Sequence, residues 1–177
     1  MESTGFDVLT FADHLVPAMP PFTGTTAAAM VTERPHVGTL VPNDDFRHPV
    51  KTARKSAGAA AVSDGRFELG LGAGHLKSEY DAAGIPFDRG GVRGGRLEES
   101  AGTIRALLDG DAADVEGAHY RVYAQAQAPL PATPASGADA DGGKRRAGAA
   151  VGGPTSPTSP TTTTPPATGS TRSNSTR

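Results

Sequence analysis

The chain has 177 residues and a formal net charge of −2, so its electrostatic field favours neither nucleic acid nor a membrane surface as a partner. It contains no cysteine, which excludes disulfides and thiolate metal sites and is typical of a cytoplasmic protein. No apolar run approaches the ~18 residues of a membrane span, and the first residues lack the basic-then-apolar layout of a signal peptide.

Segments of strand length and helix length alternate through the first 123 residues. In chain order we predict a buried strand at 6–12, a helix at 23–32, a strand at 36–41, a helix at 49–61, a strand at 67–71 and a helix at 96–108. The last helix has one apolar stripe, because Leu97, Ala101, Ile104 and Leu108 recur at helical spacing. The stretch around 115–123 is a further strand if it pairs.

This alternation predicts a parallel sheet with helical crossovers. The strands are apolar nearly throughout, as expected when both faces of a sheet are covered. Two architectures fit the pattern at this point, a doubly wound sheet and a (β/α)8 barrel.

Polar and ionisable residues follow the predicted strands, where both architectures place their chemistry. The first strand is followed by Asp13 and His14, the second ends in Thr39, Leu40 and Val41 and leads to Arg47, and the third is followed by Gly72, Gly74 and His75. We therefore expect these residues to share one opening at the carboxyl ends of the strands.

The glycines of the third strand end do not match a phosphate-binding motif. They read G-x-G-x-G, with His75 in place of the last glycine of a dinucleotide fingerprint, and no Gly-Lys-Ser/Thr follows for a P-loop. We interpret Gly72 and Gly74 as positions where a flat ligand approaches the backbone.

A metal site is not expected at the same strand end. His75 and Glu79 lie one helical turn apart, but they are one imidazole and one carboxylate, and Lys77 would repel a cation. Glu79 instead belongs to a short helix on the rim of the opening.

His14 has two interpretations that the residues alone leave open. It is a structural histidine whose ring N–H is held by a neighbouring acceptor, or it is a proton donor or electrostatic partner to a flavin-like ring. Arg47 has the simpler interpretation of a loop-stabilising hydrogen-bond donor, with Pro49 beginning the next helix.

Taken together, the stretches FDVLTFADHL, TERPHVGTLVPNDDFRHPVKTAR, SDGRFELGLGAGHLKSEYDAAGIPF and RLEESAGTIRALLDG resemble the luciferase-like monooxygenase superfamily over about residues 5–123. The resemblance implies a (β/α)8 barrel with a deazaflavin (F420-type) or FMN ring at its mouth, acting on a small-molecule substrate. It implies catalytic roles for His14 and His75. Cofactor contacts are implied for Asp13, Thr39, Leu40, Val41, Gly72 and Gly74, with a non-proline cis peptide near Thr39–Leu40.

Two positions depart from the family pattern. His75 stands where some deazaflavin dehydrogenases have an acid, which leaves proton transfer open. Ala59 and Ala60 stand where a Leu-Asp pair usually precedes the S-x-G-R turn, which removes a carboxylate expected to orient that turn.

The composition changes after residue 123. Residues 124–177 are rich in Ala, Gly, Pro, Thr and Ser, and we expect this tail to be disordered and translated out of frame. A complete barrel needs ~250 residues, so residues 1–123 predict a partial barrel of three to four βα units. Its exposed sheet edges predict self-association or aggregation.

Three functions remain in competition. The first is an oxidoreductase or monooxygenase of the luciferase-like class, with impaired activity in a partial barrel. The second is a non-catalytic remnant or interaction fragment, and the third is a nucleotide-binding α/β module that uses the glycine loop.

Overall fold

The computed structural model describes residues 5–127, which form a three-stranded parallel sheet, four α-helices and a separate β-hairpin. The predicted disordered tail lies outside the described residues except for its first four positions. The strands and helices, in chain order, are β1 (Val8–Phe11), α1 (Pro21–Met30), β2 (His36–Thr39), a short 3₁₀ helix (Asp44–Phe46), α2 (Pro49–Val62), β3 (Phe67–Leu69), α3 (Lys77–Ala83), α4 (Gly90–Asp109), β4 (Ala113–Glu116) and β5 (Arg121–Ala124).

The parallel sheet has the order β1-β2-β3, so the strands that follow one another in sequence are neighbours in space. Leu9 pairs with Val37, and Val37 pairs in turn with Phe67. This register brings the carboxyl ends of all three strands to one edge, as the alternation of strands and helices predicted.

The core lies between the helices and one side of the sheet. Ile104, on the predicted apolar stripe of α4, and Leu107, which that stripe did not include, are two of its largest fully buried side chains, and Phe67 and Leu69 contribute from β3. Small residues of α2 such as Ala53 and Ala60 pack against them, which brings α2 and α4 close together.

The prediction that the first strand is buried is wrong. Val8 and Thr10 of β1 are exposed, whereas Leu9 and Phe11 are half-buried against α1 and β2. Within the described residues β1 pairs only with β2, so it is an edge strand of the sheet formed by residues 5–127.

Helix α4 begins six residues before the predicted start, in a segment rich in glycine. Arg93 donates to the carbonyl oxygens of Ala73 and Asp88, and Arg96 donates to Asp45. These tertiary contacts hold the first turns of the helix and override the low helix propensity of glycine.

The stretch around residues 115–123, expected to add a further strand if it paired, folds back on itself. Strands β4 and β5 form an antiparallel hairpin in which Val115 faces Val122, and the hairpin does not join the parallel sheet. Strand β5 ends at Ala124, one residue past the predicted boundary of the ordered region. None of the helices within residues 5–127 combines the length and apolar character that crossing a membrane requires.

Candidate functional site

The three strand ends meet in one cleft of about 130 Å³. The cleft lies beyond β1, β2 and β3, where the parallel strands expose their carboxyl ends. It is lined by Ala12, Asp13, His14, Leu40, Val41, Asn43, Gly72, Gly74, His75 and Glu79. The sequence predicted this convergence, and every predicted site residue except Thr39 lines the cleft.

Asp13 connects the first strand end to the second. Both of its carboxylate oxygens accept from the guanidinium of Arg47, with Nη2 lying 2.8 Å from Oδ1. The backbone N–H of Asn43 donates to Oδ2 at 2.8 Å. Such a forked ion pair is strong and geometrically specific. Asp13 is buried, so its charge is neutralised inside the protein and its oxygens are engaged by the loop after β2.

His14 and His75 both line the cleft, and their rings lie edge to face. Their ring centroids are 5.9 Å apart and the ring planes are nearly perpendicular. Nδ1 of His14 lies 3.0 Å from Oε1 of Glu79, and that same oxygen accepts from the backbone N–H of Leu15 at 3.0 Å. Glu79 is therefore a hydrogen-bonding partner of His14, which lies 65 positions away in sequence.

A metal site is not found among residues 5–127, where no group of three or more His, Cys, Asp or Glu side chains is arranged to hold an ion. The expectation of no metal at the strand ends stays a prediction. The short helix expected around Glu79 is present as α3.

The second strand ends in a cis peptide bond between Leu40 and Val41, one bond beyond the position that the resemblance implied. Both side chains line the cleft and are exposed to it, Leu40 by 63%. The strand pairing resumes after this bond, because Asn43 and Gly72 form a parallel bridge. The cleft thus has an apolar wall made of two exposed aliphatic side chains.

Thr39 is the exception among the predicted cofactor contacts. It is buried in β2, and its hydroxyl donates to the carbonyl oxygen of Gly70 at 3.3 Å. Its side chain therefore packs between β2 and β3, below the cleft rather than at its surface.

The glycines of the third strand end are required by the protein's own packing. A Cβ at Gly72 would lie 2.5 Å from a methyl group of Val41, and a Cβ at Gly74 would lie 1.9 Å from the hydroxyl of Tyr80. Gly74 also has a φ of +73°, which other residues rarely adopt. The packing of the protein is thus a reason for both glycines, and the close approach of a flat ligand at these positions stays a prediction.

The backbone amides of this loop are engaged as well. The N–H of Gly70 donates to the carbonyl of Thr39 and the N–H of Gly72 donates to the carbonyl of Pro42. A phosphate cradle needs such amides to point at the ligand. These two amides instead continue the pairing of β3 with the chain after β2.

A buried polar network behind the cleft was not predicted from the sequence. The hydroxyl of Tyr80 lies 2.8 Å from a carboxylate oxygen of Asp45 and 3.1 Å from the side-chain oxygen of Asn43, and burial raises the pKa of Tyr80 to about 12. Arg96 binds Asp45 at 2.6 Å, and the pKa of its guanidinium is raised, most of all by its hydrogen bond to Asp88. The network fixes the loop that carries Asn43 to the helices α3 and α4.

Asp44 forms a second buried contact of the same loop. Its carboxyl group accepts from Ser100 at 2.5 Å and from Tyr120 at 3.1 Å. Burial raises the pKa of Asp44 to about 6 and also raises that of Tyr120. The partners lie 56 and 76 residues away in sequence, so no local spacing could have indicated them.

Comparison with known proteins gives a consistent result. A family model described as luciferase-like monooxygenase matches residues 1–158. An F420-dependent glucose-6-phosphate dehydrogenase of Intrasporangium calvum is 32% identical over 151 residues, covering 77% of this chain and 45% of that protein. The chain spans about half the length of the curated relatives it matches.

Solved structures share the same arrangement. The monooxygenase RslO1 of Streptomyces bottropensis has a TM-score of 0.64 at 27% identity, over 75% of this chain and 41% of that one. The coenzyme F420-dependent tetrahydromethanopterin reductase of Methanopyrus kandleri has a TM-score of 0.65 at 25% identity, over 73% and 40%. These similarities confirm the predicted α/β class.

Proposed function

The chain belongs to the luciferase-like monooxygenase family, and on that premise we propose that it carries the edge of the sheet that binds the cofactor ring of an oxidoreductase. The proposed reaction is hydride transfer between a small-molecule substrate and a deazaflavin of the F420 type. FMN is the alternative cofactor within the same family. The F420-dependent relatives at 32% and 25% identity support the deazaflavin.

The observation that carries the proposal is the single cleft at the three strand ends. Its chemistry fits a planar ring, because the exposed side chains of Leu40 and Val41 offer an apolar wall while His14 and His75 offer imidazole nitrogens. The volume of about 130 Å³ is below the ~300–1,000 Å³ of typical ligand pockets. The described residues would therefore supply one wall of the cofactor site.

Each lining residue has a role in this proposal. Leu40 and Val41 would support the face of the ring. Gly72 and Gly74 have no side chains and would leave room for the ring beside that wall. His14 and His75 would be the groups that exchange protons or stabilise charge at the ring edge. The bound cofactor would supply hydride acceptance, which none of the side chains present can provide.

Asp13 has a supporting role in the same proposal. Its oxygens already accept three hydrogen bonds from Arg47 and Asn43. It would therefore hold the loop after β2 in place against β1, and so set the distance between His14 and the Leu40–Val41 wall. We place the protein in the cytoplasm, in keeping with the absence of cysteine.

Titration with F420, FMN and a nicotinamide dinucleotide, followed by absorbance and fluorescence, tests the proposal. A spectral shift with F420 or FMN supports ring binding and identifies the cofactor. No shift with either one indicates a non-catalytic remnant or interaction fragment. Preferential binding of the nicotinamide dinucleotide would indicate a nucleotide-binding module.

Paired variants localise the binding. Leu40→Glu places a charge on the apolar wall and should weaken ring binding by about tenfold or more, since a buried unpaired charge costs several kcal/mol. Val31→Glu is the matched control, because Val31 is 81% exposed at the end of α1 and does not line the cleft. Equal affinities of the two variants for the cofactor would show that its ring does not bind in this cleft.

A further inference from the structure

Glu79 makes an unusual pair of contacts for a carboxylate on the rim of a cleft. It lies in α3 and is only 7% exposed, yet its oxygen Oε1 reaches the segment that follows β1. There it accepts from the backbone N–H of Leu15 and lies 3.0 Å from Nδ1 of His14. Two successive residues of one loop thus converge on a single carboxylate oxygen.

These contacts determine which nitrogen of His14 carries the proton. The N–H of Leu15 can only donate, so Oε1 is placed there as an acceptor. An acceptor 3.0 Å from Nδ1 favours a proton on Nδ1. In the neutral ring Nε2 then has a free lone pair, and within residues 5–127 it makes no hydrogen bond of its own. Nε2 is therefore the nitrogen that His14 offers to a molecule in the cleft.

The position of Glu79 is itself fixed by its neighbour in sequence. Tyr80 is fully buried, its hydroxyl lies within hydrogen-bonding distance of Asn43 and Asp45, and its ring packs against Phe46 and Phe87. These contacts hold the first turns of α3 against the loop after β2. The carboxylate of Glu79 is consequently held at a set distance from the first strand end.

We propose that Glu79 is a positioning residue that holds His14 in the Nδ1–H tautomer and orients Nε2 into the cleft as a proton acceptor. The consequence for catalysis rests on the proposed function, in which His14 exchanges protons beside the ring. The tautomer itself is a property of the cofactor-free chain. It can be measured whether or not the chain binds F420 or FMN.

The test uses nitrogen NMR of the full chain labelled in its histidine side chains, at alkaline pH where the rings are neutral. The two ring nitrogens of His14 report the tautomer directly, and substitution of His14 assigns its signals. In the unaltered protein we expect Nδ1 to be the protonated nitrogen. In Glu79→Leu, which keeps the bulk but has no acceptor, the preference for Nδ1–H should be lost.

Two further variants separate positioning from packing. Glu79→Gln keeps an oxygen that can accept from both Leu15 and Nδ1, so it should restore the Nδ1–H tautomer. Asp81→Asn is the control on the same helix, because Asp81 is exposed and pairs only with Lys77. It should leave the signals of His14 unchanged.

A ring protonated on Nε2 in the unaltered protein overturns the proposal, and so does a Glu79→Leu variant that keeps the Nδ1–H form. If the leucine variant does not fold, the unaltered protein and Glu79→Gln decide the question between them. Failure to bind F420 or FMN would refute the proposed function alone. A failed tautomer result with intact ring binding would refute only the role of Glu79.

Discussion

Replacing Asp44 by asparagine changes a carboxyl group that the fold buries almost completely, at 2% exposure. Ser100 and Tyr120 donate to its two oxygens, and Asp45 is its neighbour in the chain. Asparagine has nearly the same shape, and the hydroxyl groups of Ser100 and Tyr120 can rotate to accept from its amide. The substitution therefore removes the ionisation while it keeps the packing.

The pKa of Asp44 gives the sign and the size of the effect. Burial raises it from 3.8 to about 6, so the folded state holds the proton more tightly than the unfolded chain does. Each unit of difference is worth about 1.4 kcal/mol, which gives about 3 kcal/mol. This stability is fully present below pH 3.8 and is lost as the pH rises through about 6.

Urea unfolding of the unaltered protein and of Asp44→Asn, measured between about pH 4 and about pH 7, tests this reasoning. The free energy of unfolding of the unaltered protein, taken relative to the variant, should fall by about 2 kcal/mol over that range, because part of the full effect is already lost at about pH 4. Asp111→Asn is the control, because its side chain is exposed and its difference from the unaltered protein should stay constant. A pH-independent difference for Asp44→Asn would refute the raised pKa of the carboxyl group.

Three other substitutions test the contacts around the cleft by urea unfolding. Arg47→Met leaves the carboxylate of Asp13 buried without its partner and should cost about 3–5 kcal/mol; Arg47→Lys should recover part of this, and equal losses would contradict the forked geometry. Gly74→Ala should cost more than Gly84→Ala: both glycines have positive φ, but only Gly74 has an atom, the hydroxyl of Tyr80, where the Cβ would lie. Similar losses would show that conformation alone sets the requirement. Tyr80→Phe removes a buried donor and should cost about 1–3 kcal/mol, and an unchanged stability would mean that its acceptors find water instead.

The sequence alone was sufficient for the order of the elements as far as α4 and for the edge at which they expose polar residues. Parallel strands separated by helices all point the same way, so their carboxyl ends meet at one edge whatever the details of packing. This is why Asp13, Leu40 and Gly72, which are 59 residues apart from first to last, could be expected to line one opening. Local patterns also placed the starts of α2 and β3 correctly.

Burial and element limits were less predictable. The apolar composition of residues 6–12 predicted a strand covered on both faces, but β1 lies at the edge of the described sheet and exposes Val8. The start of α4 was missed because its glycines disfavour a helix, while Arg93 and Arg96 anchor it to distant residues. Residues 115–123 were considered as one strand, because the apolar content of a single strand and that of a β-hairpin are the same.

The pairing of the side chains was decided by the tertiary structure. Sequence spacing related Glu79 only to His75, one helical turn away, in a metal pair that was not expected, whereas the fold brings Glu79 to His14, which is 65 positions distant. It likewise assigns Arg47 to Asp13 and the space beside Gly74 to Tyr80. Periodicity and spacing report only on neighbours along the chain. Which hydrogen-bonding groups meet across strand ends depends on how α3 and the loop after β2 pack, and that packing is set by contacts of the whole fold.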